Sequence, residues 1–118
     1  MKNLKSIEKF LSAYASGERH FIDCDLDGSL KSKDLNGVIF QKCFLVCDFF
    51  GANLTGARFE KCNIKTSSFR EANLSDAVIT ECAVEGIDFI DANIEKLKFD
   101  SNYYMGGTMH QSDLEGFC

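Results

Sequence analysis

Proline and tryptophan are absent, histidine occurs only at His20 and His110, and no apolar run approaches the roughly 20 residues that a membrane span requires. The opening residues, Met1-Lys2-Asn3-Leu4-Lys5, lack the apolar core of a signal peptide, so a cytoplasmic location is expected. Without an export signal, the six cysteines read as reduced thiols used as small core residues rather than as a secreted disulfide framework. Also missing are a G-x-S-x-G elbow, a glycine-rich phosphate loop and an H-E-x-x-H run, the short patterns of hydrolytic, nucleotide and zinc chemistry. What is present, 118 residues that are 45% hydrophobic and 26% charged, is the composition of one folded domain.

Basic charge is scarce toward the C-terminus. Residues 71–118 hold ten acids against only Lys96 and Lys98, within a net charge of −5. Such a surface repels phosphate backbones, so direct DNA or RNA binding is not expected. It serves solubility or, on a sharper reading, an acidic partner-binding surface.

From Ala52 onward a large apolar residue recurs every five positions without a gap: Leu54, Phe59, Ile64, Phe69, Leu74, Ile79, Val84, Phe89, Ile94, Phe99, Tyr104, Met109 and Leu114. Two residues before most of them stands a small one, as at Ala52, Ala57, Cys62, Ser67 and Ala72. Five fits neither the 3.6 of a helix nor the 2.0 of a strand. It fits a chain that turns a corner every five residues and closes a four-sided coil every twenty. Coils stacked at the parallel-strand spacing of roughly 4.8 Å place residues twenty apart directly above one another.

Toward the N-terminus the step shortens to four between Leu45 and Phe49, and again, nineteen residues earlier, between Leu26 and Leu30. The exception is itself periodic, which points to one shortened corner shared by the first two coils. Four core columns result: Phe21, Phe40, Phe59, Ile79, Phe99; Leu26, Leu45, Ile64, Val84, Tyr104; Leu30, Phe49, Phe69, Phe89, Met109; and Leu35, Leu54, Leu74, Ile94, Leu114. Seven of the eleven phenylalanines lie among them.

Cys24, Cys43, Cys62, Cys82 and then Asn102 form a column of small positions. Zinc needs tetrahedral convergence of ligands, which a linear stack does not supply, and Cys43 and Cys47 fall on adjacent faces with no histidine near. Packing is therefore preferred to a metal site or a disulfide. His20 on the first coil and His110 on the fifth lie four coil spacings, roughly 19 Å, apart and on opposite faces, too far to share a site. No catalytic residue, cofactor or metal is expected, and the chain reads as non-enzymatic.

Cys47-Asp48-Phe49-Phe50-Gly51, Ala52-Asn53-Leu54-Thr55-Gly56, Ala72-Asn73-Leu74-Ser75-Asp76 and Ala92-Asn93-Ile94-Glu95-Lys96 are the best copies of the motif. Over about residues 20–118 the chain resembles pentapeptide repeat proteins, whose repeat is summarised as A(D/N)LXX. That resemblance implies an all-β solenoid, a right-handed quadrilateral parallel β-helix, here of about five coils. It also implies a frequent terminal helix and a frequent dimer through the C-terminal coil.

At the N-terminus Leu4, Ile7, Leu11 and Tyr14 recur at helical spacing beside Phe10, with Gly17 placed to end the helix. Residues 1–18 are thus expected to form a short α-helical cap and residues 19–118 the β-helix, one domain, because an open solenoid end invites further stacking. Nothing comparable follows the last coil. That end is expected to be uncovered and to pair with a second copy near Tyr103, Tyr104, Met105 and Phe117.

Function then rests on the outer surface. One reading is a protein-interaction module for an unidentified protein partner, with Phe44, Phe50 and Ile90 as a contact patch and no role for a membrane. The alternative comes from the resemblance: some relatives mimic a charged duplex and protect DNA gyrase from quinolones. Asp76, Glu81, Glu85, Asp88, Asp91 and Glu95 are the residues assigned to that role.

Overall fold

The structure, a computed structural model, describes residues 1–117, with side chains described through Leu114. In chain order the elements are α1 (Ile7–Ala15), β1 (His20–Ile22), β2 (Asp25–Ser29), β3 (Ile39–Gln41), β4 (Phe44–Asp48), β5 (Arg58–Glu60), β6 (Val78–Thr80), β7 (Lys98–Asp100), β8 (Asn102–Tyr104), β9 (Gly107–Met109) and a 3₁₀ helix (Gln111–Phe117). Strands β1, β3, β5, β6 and β7 form one parallel sheet in that order, with Phe21, Phe40, Phe59, Ile79 and Phe99 as successive register partners. This is face 1 of an all-β parallel solenoid. Faces 2, 3 and 4, named for the columns headed by Leu26, Leu30 and Leu35, are joined mostly by single bridges such as Asn63↔Ala83, Ser68↔Asp88 and Asn73↔Asn93.

Five-residue spacing produces corners because each side of the tube ends in a turn. Ala57, Ala72 and Ala77 N–H donate 3.0 Å bonds to the carbonyls of Leu54, Phe69 and Leu74. The third residue of each such turn has positive φ: Gly56 at +68°, Glu71 at +56°, Asp76 at +59°. That is the backbone of a type II turn. The polar residue before each core side chain locks the corner, as when Asn73 Oδ1 accepts from Ser75 N at 3.0 Å and Asn93 Oδ1 from Glu95 N at 3.0 Å.

The column residues are buried, apart from Ile94 and Tyr104, which are partly so. Phenylalanine rings stack along the axis: Phe49 and Phe69 lie 5.0 Å apart at 8°, and Phe69 and Phe89 5.5 Å apart at 26°. Phe59 meets Phe69 edge-on at 5.7 Å, linking faces 1 and 3 across the core.

The four-residue step is not a tighter corner. In the first two coils the chain runs straight from face 2 to face 3 as β2 and β4, paired in parallel from Asp25↔Phe44 to Ser29↔Asp48. One coil higher, Thr66 is the added residue that makes the turn, at φ +62°, and Ser67 Oγ accepts from Cys47 N at 3.1 Å. Gly28 on the straight edge has φ +150°, and a Cβ there would lie 3.0 Å from Ile7 Cγ1, so the close approach of α1 requires glycine.

Helix α1 is capped by Ser6, whose side chain accepts from Lys9 N, and it seats fully buried Phe10 over Phe21 at 4.7 Å and Phe40 at 5.4 Å. Leu4 lies outside the helix. Residues before it join the edge of β1 through a parallel bridge at Lys2, with Ile22 N donating to Met1 O at 2.8 Å and Asn3 N to Ile22 O at 3.0 Å. The N-terminal closure is therefore a bridged edge segment and a helix.

The fifth coil does not close, so the solenoid has about four turns. After β8 the chain reverses at Met105 (φ +49°) and Gly106 (φ +81°), and β9 pairs antiparallel with β8, Asn102 opposite Met109. Two central residues with positive φ are the mark of a type I′ hairpin turn, which lets the chain pair at once with the strand it has just made. The 3₁₀ helix follows, tied back where Phe99 N donates to Gln111 Oε1 at 2.7 Å. Met109 and Leu114 are buried as expected, but from the hairpin and the helix rather than from a fifth coil. The end expected to be uncovered is thus covered along β7 and β8 and left open along faces 3 and 4. Of the residues expected at a dimer contact there, Tyr103 and Met105 are exposed, Tyr104 is partly buried, and the side chain of Phe117 lies outside the described residues.

Candidate interaction surface

Outward residues form columns of their own, and the four faces differ. On face 1, His20 Nε2 lies 2.7 Å from Gln41 Oε1, Gln41 Nε2 donates to Glu60 Oε1 at 2.7 Å, and Arg58 Nη2 donates to Glu60 Oε2 at 2.7 Å. The Gln41 bond, opposed by partial burial and helped by Arg58, holds the Glu60 carboxyl below its usual range. Beside this network lies an open recess of about 420 Å³ lined by Gln41, Lys42, Glu60, Lys61, Thr80 and Glu81. Face 4 carries Asp34, Asn53, Asn73 and Asn93. Asn53 Nδ2 reaches Asp34 Oδ1 at 3.1 Å, while the Oδ1 atoms of the asparagines serve mainly to lock their own corners.

Faces 2 and 3 are different. Phe44 and Tyr103 lie in one column on face 2, which runs Asp25, Phe44, Asn63, Ala83, Tyr103; they are 48% and 50% exposed, with Met105 close to Tyr103 and 77% exposed. Phe50 and Ile90 lie on face 3 and are 37% and 43% exposed. Among the described residues, Met1 at the N-terminal edge is the one other large apolar side chain as exposed. The cations of faces 2 and 3 are already engaged: Lys31 with Asp48 at 3.4 Å, Lys65 with Glu85 at 4.0 Å, Arg70 with Asp88 at 2.5 Å. Pairs so exposed contribute little to stability; Asp25 and Asp27 on face 2 and Glu71 and Asp91 at the corner after face 3 add further acids, against Lys42 and Lys61 at the corner leading into face 2.

The six acids assigned to a duplex-like surface do not share a face. Asp76, Glu81 and Asp91 occupy corners after faces 4, 1 and 3, with φ of +59°, +55° and +59°. Glu85 follows Val84 on face 2, Asp88 is bridged on face 3, and Glu95 follows Ile94 on face 4. They ring a single turn of the rod. Arg70 holds the Asp88 carboxyl below its usual range, together with a bond from Ile90 N.

Cys24, Cys43, Cys62 and Cys82 are buried free thiols, and Asn102 completes their column, accepting from Cys82 N at 2.9 Å and donating to Ile79 O at 3.0 Å. Cys43, Cys62 and Cys82 donate to the carbonyls of Phe21, Phe40 and Phe59, one coil below. Burial pushes the Cys47 thiol up to about 12. Among the described residues no group of three or more His, Cys, Asp or Glu is arranged to hold a metal, and no helix is long and apolar enough to cross a membrane. His110 is not opposite His20. It pairs with Asp100 on the same side as β1, because the hairpin carries it back to face 1, and the axial separation alone keeps the histidines apart.

A family profile described as "Pentapeptide repeat region" matches residues 52–117, more than half of the chain, and a second, "Pentapeptide repeats (8 copies)", matches residues 34–65. The chain belongs to the pentapeptide-repeat family. Among solved structures, this pentapeptide-repeat chain superposes on QnrB1, a plasmid-mediated fluoroquinolone resistance protein, with a TM-score of 0.70 and 19% identity, covering 86% of this chain and 53% of QnrB1. It superposes on HetL, involved in heterocyst differentiation regulation in the cyanobacterium Nostoc sp. strain PCC 7120, with a TM-score of 0.72 and 20% identity over 86% of this chain and 46% of HetL. Rfr23 from the cyanobacterium Cyanothece 51142 gives a TM-score of 0.63 and 16% identity, over 87% and 86% of the two chains. The chain spans about half the length of QnrB1 and HetL. No curated protein sequence matches it. At these identities the likeness is one of fold, a rigid β-helix.

Proposed function

We propose that this pentapeptide-repeat protein is a non-catalytic docking module that offers faces 2 and 3 to another protein. The carrying observation is the segregation of the exposed large apolar residues Phe44, Phe50, Ile90, Tyr103 and Met105 to two adjacent faces, while face 4 is polar and face 1 carries a polar ladder beside only half-buried Ile22, Ile39 and Val78. With the cations there already paired, the surface favours a partner that brings apolar groups among basic ones. Affinity capture with wild-type protein and with Phe44→Ser/Ile90→Ser tests it. A partner of faces 2 and 3 is lost from the variant and kept by Asn73→Ser on face 4, and equal capture by all three proteins refutes the assignment.

The more specific reading is a DNA mimic acting on a DNA-processing enzyme such as gyrase. The shared fold of QnrB1, a fluoroquinolone resistance protein, supports it. On this reading the enzyme meets the ring of carboxylates from Asp76 to Glu95 edge-on, not as a stripe. A supercoiling assay with and without a fluoroquinolone decides. Inhibition or drug protection at micromolar protein, weakened by Glu81→Gln/Glu85→Gln, supports mimicry, and no effect at that concentration removes it.

A further inference from the structure

Residues 107–116 read Gly-Thr-Met-His-Gln-Ser-Asp-Leu-Glu-Gly, with Ser112-Asp113-Leu114 keeping the small–Asp–Leu start of a repeat, and the family profile runs through them to residue 117. Yet they form a hairpin strand and a 3₁₀ helix. Three observations bear on this mismatch. Phe69, Glu71, Leu74 and Asp76 N–H donate to Asp88, Ile90, Asn93 and Glu95 one coil above. Their equivalents on the last turn, at Phe89, Asp91, Ile94 and Lys96, have no coil above them, and Ile94 is only partly buried. At the corners the left-handed residue is the second after the core side chain, as at Gly56, Asp76 and Lys96, whereas after Tyr104 both Met105 (φ +49°) and Gly106 (φ +81°) are left-handed. The hairpin therefore forces an unbranched L side chain into a conformation that a further corner would not ask of it.

We propose that the C-terminal segment is a strap with two placements: the observed one, folded back on β8, and a second in which residues 107–116 lay down the missing sides of the fifth coil. In the second placement Met109 sits above Phe89, Leu114 above Ile94, and Gly116 takes the corner position held below by Lys96. The contacts of the observed placement, Gln111 Oε1 with Phe99 N and His110 with Asp100, are exchanged for strand bonds along Phe89–Lys96. The occupant of that edge is the chain's own strap, and Met105, 77% exposed, is the hinge.

Two substitutions at the hinge push in opposite directions without touching the core. Met105→Asn suits a left-handed residue and favours the observed placement, whereas Met105→Val, β-branched, disfavours it, each by about five- to thirtyfold in population. Hydrogen exchange of the full-length protein reads the result at the Asp91, Ile94 and Lys96 amides. Protection there is expected to rise in Met105→Val and fall in Met105→Asn. In parallel, Asn93→Cys/Asp113→Cys places two thiols on stacked positions roughly 4.8 Å apart in the second placement, within disulfide reach. It is expected to form an intrachain bond on oxidation, faster with Met105→Val. If the edge amides exchange equally in both hinge variants and the engineered pair stays reduced, the strap has one placement and the proposal is wrong. An interchain bond overturns it too, in favour of strap exchange between copies.

Discussion

Replacing Phe69 with leucine removes a ring that lies 5.0 Å from Phe49, 5.5 Å from Phe89 and edge-on to Phe59 at 5.7 Å, without burying a polar atom. The substitution alone should cost about 1–3 kcal/mol, an appreciable part of the about 5–15 kcal/mol by which domains are stable. The informative quantity is how that cost depends on its neighbours. Phe49 and Phe69 are parallel at 8°, and a ring pair of this kind contributes about 0.5–1.5 kcal/mol beyond its buried area. Phe49 and Phe89 stand two coils apart with Phe69 between them, so their substitutions should add to within about 0.3–0.5 kcal/mol. Urea unfolding followed by circular dichroism on the two double-mutant cycles, all Phe→Leu, measures both. A coupling for Phe49 and Phe69 no larger than that for Phe49 and Phe89 would show that stacking along the tube carries no energy of its own.

Gly28→Ala sets a Cβ 3.0 Å from Ile7 Cγ1 on a backbone with φ +150°, and should cost about 1–3 kcal/mol and speed hydrogen exchange in α1. Adding Ile7→Ala should recover part of the exchange protection, and an unchanged stability in Gly28→Ala contradicts the contact. Glu60 is depressed in the folded chain, so its stabilisation is present above the unfolded carboxylate value of about 4.3 and is lost as the pH falls through the lower folded value. Melting temperatures between pH 6 and pH 3 should therefore fall less steeply for Glu60→Gln, and parallel curves would count against the Gln41–Glu60 bond. Thiol reagents at pH 8 should leave Cys24, Cys43, Cys47, Cys62 and Cys82 unmodified until the chain unfolds, and rapid labelling of any of them would place it outside the core. Light scattering behind size exclusion should return the chain's own 13.2 kDa at high concentration, since the hairpin and the 3₁₀ helix fold back over β7 and β8; twice that mass would restore a dimer contact around Tyr103 and Met105.

The columns were legible because a tube this narrow gives each large side chain one place to go. Every gap of five or four in the series from Phe21 to Phe99 corresponds to one side of a coil, and the cysteine column follows from the same count. The count fixes which residues face inward, not which strand they pair with. That is why Met109 and Leu114 were placed correctly inside and wrongly on a fifth coil, with Met105-Gly106 as the one local signal of reversal. The bridge at Lys2 has no periodicity to detect, and it exists because β1 offers an edge. On the surface, the ring of acids was available from arithmetic, since residues 76 to 95 span one revolution. The asymmetry of faces 2 and 3 needed exposures, which spacing does not provide.

The straight passage from face 2 to face 3 in the first two coils has a consequence for how such a chain tolerates changes of length. Elsewhere, dropping one residue would turn every later side chain inside out. At Thr66 or Gly86, a deletion would recreate the nineteen-residue circuit already accommodated between Leu26 and Leu45 and leave the downstream reading frame of the tube intact.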